Sequence, residues 1–368
     1  MVFPQAKVPI LRDYSTPTEE LLPLFLSSES APKSVRLAEL RVNLFVQSYL
    51  KGRAIMSQKV TVVDVTLRDG FQNEPKPVST RDKLLLAEKL VKAGIKDIQA
   101  TSFVHPRWVP QMADAEAVAS GLANFPGVTF SALVPNLKGY ERAVAVGILH
   151  HEFVMAASDS FNRKNLNRSI AQSLELLDEV TPRAKQDGVE IRVGIATSFH
   201  CPFEGAISTK ALLDVVKAVR ERCQWKVGIA DTDGMAFPDQ VTDAVNGLHQ
   251  ELKLPLDEIA LHFHDTYGRG LSNVLAGLKA GIREYDSTTA GLGGCPYCPG
   301  ASGNLATEDL VAFLHGMGLQ TGIDMEKLLD AAEFAIQFSS RPYQGHLLRA
   351  HRAAACGVVS AAGNAAAL

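Results

Sequence analysis

The stretch Ile259-Ala-Leu-His-Phe-His-Asp-Thr-Tyr-Gly268 frames the rest of the chain. A short apolar run that closes on polar groups and a glycine reads as a strand buried along its body and open to a polar space at its C-terminal end. Runs of the same kind recur on both sides, at 61–68, 95–103, 129–135, 151–157, 190–198, 225–231 and 284–290. Helical patterns alternate with them, at Thr80–Ala93, 110–123, 137–147, 165–186, 208–222, 238–252, 270–281 and 304–317. The clearest is Thr80–Ala93, where Leu84, Leu85, Leu90 and Val91 share a broad apolar face, Asp82 complements the first turn and Gly94 stops the helix. Eight strands alternating with eight helices over about 255 residues predict an α/β protein, a (β/α)8 TIM barrel. A doubly wound open sheet shares the alternation, but no Gly-rich dinucleotide fingerprint accompanies it here.

Outside the barrel, assigned to residues 59–339, lie an N-terminal extension (1–58) and a C-terminal tail (340–368). Leu37, Leu40, Val42, Leu44, Phe45 and Tyr49 predict one amphipathic helix over Val35–Tyr49, and Met56 offers a second start just before the first strand. A ninth barrel-side helix is expected near 325–339, followed by a tail of low complexity.

Thirty-seven Lys and Arg against 40 Asp and Glu leave a net charge of −3, which excludes a dedicated nucleic-acid binder. Cysteines at 201, 223, 295, 298 and 356 form no disulfide framework and fit a reducing compartment. The Ala/Gly-rich stretch from Ala353 to Leu368 falls short of the ~20 apolar residues that a membrane span needs. The first residues lack the order of a secretory signal, and Asp13, Glu19, Glu20 and Glu29 oppose a mitochondrial presequence. The expectation is a soluble cytoplasmic protein with no membrane or nucleic-acid partner; a mitochondrial matrix location is the alternative.

Barrel enzymes carry their chemistry at the C-terminal ends of the strands. Those ends hold Arg68 and Asp69, Gln99, Asp231, His262 with His264, and the loop Gly291–Gly300, while the strand bodies read as apolar. Residues i and i+2 of a strand face one side, so His262 and His264 can both point into the barrel mouth. Two neutral imidazoles and a carboxylate from another strand can hold a divalent cation and leave positions open for substrate. Asp69 is the natural third ligand, and Arg68 can stabilise developing negative charge. Neighbours on a strand face opposite sides, so both reach the site only if the backbone turns between them. Cys295 and Cys298 form a C-x-x-C without a second pair for zinc; among Gly291, Gly293, Gly294 and Gly300 they fit a mobile lid carrying one thiol used in proton transfer.

Residues 60 to about 335 resemble the 3-hydroxy-3-methylglutaryl-CoA lyase family. The resemblance rests on TLRDGFQNE (66–74), TSFVHPRWVPQMAD (101–114), LVPNLKGYERAVAVG (133–147), SDSFNRKNLNRS (158–169), CPFEG (201–205), HFHDTYG (262–268) and AGLGGCPYCPGASGNLATEDLV (290–311). It implies retro-Claisen cleavage of a 3-hydroxyacyl-CoA with a distal carboxylate, giving acetyl-CoA and a keto acid, in a homodimer. By the same resemblance Asp69, His262, His264 and Asn304 hold Mg²⁺ or Mn²⁺, Arg68 stabilises the enolate, and Cys295 delivers a proton to it. Asn304 read by itself is a helix N-cap. Asp231 matches a family carboxylate near the site, with a structural hydrogen-bonding role as the alternative. Gln72, Gln99, Ser158, Asn162, Arg163 and Lys164 are expected where acyl-CoA approaches; a solvated basic turn is the other reading of residues 158–164. One position departs from the family: a Glu is typical at the end of the second strand, and Gln99 stands there, keeping the shape but not the charge. A synthase or aldolase acting on a 2-oxo acid, or a catalytically weak barrel that binds CoA esters, are the competing functions.

Overall fold

In the computed structural model, which describes residues 58–223, 225–294, 303–342 and 345–355, the apolar runs become eight strands. They are β1 (Thr61–Asp64), β2 (Asp97–Ser102), β3 (Thr129–Leu133), β4 (His150–Ala156), β5 (Glu190–Ala196), β6 (Lys226–Asp231), β7 (Ile259–Phe263) and β8 (Glu284–Ser287). All pair in parallel in sequence order, and β1 returns to β8 through the register Thr61 to Glu284 and Asp64 to Ser287. Closure leaves no sheet edge to protect.

Helices α1 (Thr80–Ala93), α2 (Ala115–Gly121), α3 (Leu137–Ala145), α4 (Asp159–Leu166), α5 (Ile170–Asp187), α6 (Thr209–Arg220), α7 (Pro238–Gln250), α8 (Gly270–Lys279), α9 (Thr307–Gly316), α10 (Met325–Ala335) and α11 (His346–Ala355) complete the described residues. Ser79 caps α1 by accepting from the Asp82 amide, and Gly94 ends it in the left-handed region at φ 101°. Outward-facing strand residues such as Leu261 and Tyr285 are completely buried beneath the helices, each burial stabilising the fold by ~1.5–3 kcal/mol. α8 approaches so closely that a Cβ on Gly277 would lie 2.4 Å from Leu261 Cδ1, a spacing only glycine allows.

Several elements differ from the sequence reading. The expected helix over 165–186 is two helices: α4 ends at Asn167 (φ 54°), and Ser169 with Gln172 forms a capping box that restarts the chain as α5. The 110–123 segment divides into a 3₁₀ turn at Pro110–Met112 and the short α2. A hairpin pairing His200 with Ala206 and Cys201 with Gly205 follows β5. α11 lies in the segment expected to be a low-complexity tail. The Val35–Tyr49 helix, Met56, Cys295, Cys298 and everything beyond 355 lie outside the described residues. Among the described residues no helix is long and apolar enough to cross a membrane.

Candidate active site

β1 stops at Asp64, four residues earlier than its hydrophobic pattern indicates, and Thr66–Gly70 winds into a π-helical turn. The Val65 carbonyl accepts from the amides of Arg68 (3.2 Å), Asp69 (2.7 Å) and Gly70 (3.3 Å). Tight winding carries Arg68 and Asp69 to the same end of the barrel, as adjacent residues in a straight strand could not be. Asp64 secures the turn from below. It accepts from the Thr66 amide (3.0 Å), Thr289 Oγ1 (2.8 Å) and Thr307 Oγ1 (2.9 Å), joining β1 to the loop after β8 and to the start of α9. Burial raises its pKa in spite of these donors.

Asp69, His262 and His264 each offer a ligand atom within 4.8 Å of the others. His262 lies on β7, and His264, one residue beyond it, bridges to Asn304. The Asn304 amide donates to Asp69 Oδ2 (2.8 Å) and to the Leu292 carbonyl (3.0 Å), while its buried Oδ1 and the buried Nδ1 of His264 have no partner among the described residues. Burial, together with His262, pushes the His264 pKa down to about 3, so its imidazole is neutral. Burial favours neutral Asp69, but the charges of Arg68 and His262, with the hydrogen bond from Asn304, outweigh it and lower the pKa of the carboxyl. Gly293 (φ 95°) passes so near that a Cβ there would sit 2.7 Å from the Asp69 carbonyl and 2.8 Å from Asn304 Nδ2. Asn73 Nδ2 donates to the Gly294 carbonyl at 2.6 Å. One anionic oxygen, two imidazoles and an amide oxygen suit a divalent cation, and the unpartnered atoms are of the kind a ligand satisfies.

Beneath the cluster the strand bodies are not apolar, contrary to expectation. Arg68 donates to Asp69 and to the Gln99 carbonyl, and the Gln99 amide donates to Glu152. Glu152 accepts from Arg192 (2.7 Å), Arg192 forks onto both Asp286 oxygens (2.8 Å each), and Asp286 meets His262 Nδ1 at 3.3 Å. Burial disfavours the charge of Asp286, but Arg192 and His262 hold its carboxyl well below the usual range. For His262, burial opposes protonation, yet the hydrogen bond and charge of Asp286, with Asp69, raise its pKa. The same bond fixes the ring so that Nε2 is the free nitrogen.

A family model described as HMGL-like matches residues 59–335. The chain belongs to the HMGL-like family. It is 43% identical over 286 residues to the mitochondrial hydroxymethylglutaryl-CoA lyase of Macaca fascicularis, covering 78% of this chain and 87% of that one. Against the hydroxymethylglutaryl-CoA lyase of Bacillus subtilis (strain 168) it is 41% identical over 285 residues, 77% of this chain and 95% of the relative. It also superposes on the solved structure of an Acinetobacter baumannii HMG-CoA lyase in complex with coenzyme A and 3-methylmalate, with TM-score 0.76 and 36% identity over 79% of this chain and 95% of that one.

The remaining expected residues of this HMGL-like chain fall into two groups. Asp231 closes β6 beside the cluster: the His264 amide donates to its carbonyl at 3.3 Å, its Oδ1 accepts from the Ala236 amide, and its buried Oδ2 has no partner among the described residues. Burial pushes its carboxyl up to about 7, with Asp233 adding to the effect. Gln99 is fully buried in the chain just described, and Gln72 is half-buried beyond the π-turn. The 158–164 segment is different. Ser158 caps α4 and its Oγ lies 3.0 Å from Cys201 Sγ. Asn162, expected at the substrate, is instead completely buried: it accepts from the Ala156 amide and donates to the Arg168 carbonyl and Ser173 Oγ, which shapes the turn between α4 and α5. Arg163 is exposed and ion-paired with Asp159 one helical turn away (2.6 Å); Lys164 is exposed beside it. Cys295 lies outside the described residues, between Gly294 and Gly303, whose carbonyls bond Asn73 and the Asp265 amide. The sequence reading missed Asp64, Glu152, Arg192 and Asp286.

Proposed function

We propose that this protein is a divalent-metal-dependent carbon–carbon lyase that cleaves 3-hydroxy-3-methylglutaryl-CoA, or an acyl-CoA close to it, to acetyl-CoA and a keto acid. The observation that carries the reading is the Asp69–His262–His264 cluster at the barrel mouth, with unpartnered buried atoms on His264 and Asn304, in an HMGL-like chain. Asp69, His262, His264 and Asn304 would hold Mg²⁺ or Mn²⁺, which supplies Lewis acidity to bound oxygens.

Asp231 is suited to take the proton of the substrate hydroxyl: its carboxyl titrates at about 7 and one oxygen is free. As the hydroxyl carbon becomes a carbonyl, the C–C bond breaks and its electron pair passes to the thioester as an enolate. Arg68, held by Asp69 and Gln99, faces that charge with a guanidinium already oriented, so little reorganisation accompanies the step. Cys295 then gives its proton to the enolate carbon, which completes acetyl-CoA. Gln72, Gln99, Ser158, Arg163 and Lys164 belong to this reading as the approach of the acyl-CoA, and Asn162 supports them from beneath. Assembly as a homodimer and a cytoplasmic location complete it, the latter supported by the bacterial relative.

The test is a panel of 3-hydroxyacyl-CoA esters assayed with Mg²⁺ and with chelator, products identified by mass spectrometry. Acetyl-CoA formed only with metal, and lost in Cys295→Ala with Mn²⁺ binding retained, is the expected result. Turnover of a 2-oxo acid with no CoA ester cleaved would sink the proposal, and full turnover in Cys295→Ala would remove the thiol from it.

A further inference from the structure

Gln99 is enclosed between a cation and an anion. Arg68 has only donors, so it must meet the Gln99 carbonyl; a carboxylate only accepts, so Glu152 must meet the Gln99 NH₂. An amide satisfies both neighbours at once, whereas a carboxylate at position 99 would face Glu152 with like charge and no donor between them. Residue 152 thus dictates what residue 99 must be.

Glu152 is itself provided for by the fold. It lies on β4, and the space above the neighbouring strand is opened by Gly194, where a Cβ would stand 2.7 Å from Glu152 Oε1. Gly194 pairs in register with Gly228 of β6, where a side chain would stand at ordinary contact distance, 3.7 Å, from Arg192. Gly194 therefore makes room for the Glu152–Arg192 ion pair in the middle of the barrel.

We propose that Glu152 is the positioning residue for Arg68, carrying on β4 the negative charge that the family resemblance places at position 99, one hydrogen bond nearer the reacting atoms. Acting through the Gln99 amide, it holds the guanidinium toward the place where the enolate develops. This rests on the lyase reading for its chemistry, but the pairing itself rests on geometry.

The test is a swap. In Gln99→Glu/Glu152→Gln every donor again meets an acceptor: Arg68 faces Glu, the new amide at 152 donates to it and accepts from Arg192. The single variants Gln99→Glu and Glu152→Gln are each expected to lower kcat at least about tenfold, with KM within about threefold, because Arg68 acts on charge that forms only in the transition state. The double variant is expected to recover to within about threefold of the wild-type kcat. Losses that simply multiply in the double variant, or a Gln99→Glu enzyme with undiminished kcat, would overturn the assignment. Should a single variant be too unstable to assay, a folded and active double variant is the same rescue, and a double variant that fails as well refutes it. Thermal-unfolding midpoints of the same four proteins form a cycle that needs no substrate. A wild type that cleaves no acyl-CoA would count against the lyase reading, while non-additive midpoints would still establish the Gln99–Glu152 pairing and additive ones would refute it.

Discussion

The middle of the barrel and its mouth use the same residue types to opposite ends. In the middle, Gln99, Glu152 and Asp286 are buried and, with the half-buried Arg192, linked by hydrogen bonds and ion pairs. At the mouth, His264, Asn304 and Asp231 each keep a buried polar atom without a partner among the described residues. A buried donor or acceptor left alone costs ~1–3 kcal/mol, so the mouth is maintained at a loss that the middle avoids. The difference bears on scaffold and site: complete pairing fixes geometry in the middle, and the unpaired atoms gathered around Asp69 are of the kind a ligand satisfies. His262 belongs to both, with Nδ1 on Asp286 and its ring 5.2 Å from that of His264.

Breaking the mouth has the largest expected effect on chemistry. His264→Gln keeps the side-chain volume and is expected to lower turnover ~1,000-fold or more, as loss of several kcal/mol of transition-state stabilisation requires. Stability should move by less than about 1.5 kcal/mol, measured by denaturant unfolding. Comparable losses in stability and turnover would make His264 part of the scaffold instead. Breaking the middle should reverse the balance. Asp286→Asn removes one of the carboxylates that hold Arg192, which keeps Glu152 at 2.7 Å, and is expected to destabilise the fold by ~1.5–3 kcal/mol. It should also weaken Mn²⁺ binding about 10–100-fold by freeing the His262 ring, read by calorimetry; unchanged metal affinity would detach Asp286 from the site.

Glu308 at the start of α9 sharpens the comparison, since its Oε2 accepts from the Ala290 amide while its buried Oε1 has no partner among the described residues. Burial raises its pKa to about 8. The folded state therefore keeps a proton that the unfolded chain gives up above about 4.5, and stability contributed by this group falls as pH rises from there to about 8. Glu308→Gln is expected to flatten that part of the stability–pH profile and to gain a few kcal/mol at pH 8 relative to wild type. A variant whose profile still falls in parallel with the wild type would assign the slope elsewhere. The smallest effect belongs to Arg163→Ala, which removes an exposed ion pair worth ~0.5 kcal/mol or less. A several-fold rise in KM for the acyl-CoA would show that this helix reaches the substrate; an unchanged KM would confine Arg163 to its pair with Asp159.

What could be read without coordinates follows from the periods of strands and helices. His262 and His264 stood out because a spacing of two places both imidazoles on one side of a strand, and Thr80–Ala93 because its cap, apolar face and terminal glycine agree. Arg68 and Asp69 were visible as a pair, but a straight strand separates them; the π-turn that unites them depends on Asp64, Thr289 and Thr307 meeting from distant parts of the chain. Glu152, Arg192 and Asp286 were illegible for a related reason. Each stands alone in its own strand, and only the closed order of β4, β5, β7 and β8 reveals that they answer one another. The burial of Asn162 was illegible because it depends on the break between α4 and α5, which turns the side chain inward.

The five-residue turn at Thr66–Gly70 also makes the spacing of the chain a chemical variable. Three amides converge on the single carbonyl of Val65, so removing one residue would relax the turn toward an ordinary α-helical one and swing Asp69 around the helix axis by about 100°. The barrel wall, whose strands close on Asp64 before the turn begins, would survive such a deletion. Drift in length is thus tolerated by the architecture and refused by the reaction, which makes these five positions a place where a lineage can change its chemistry without changing its shape.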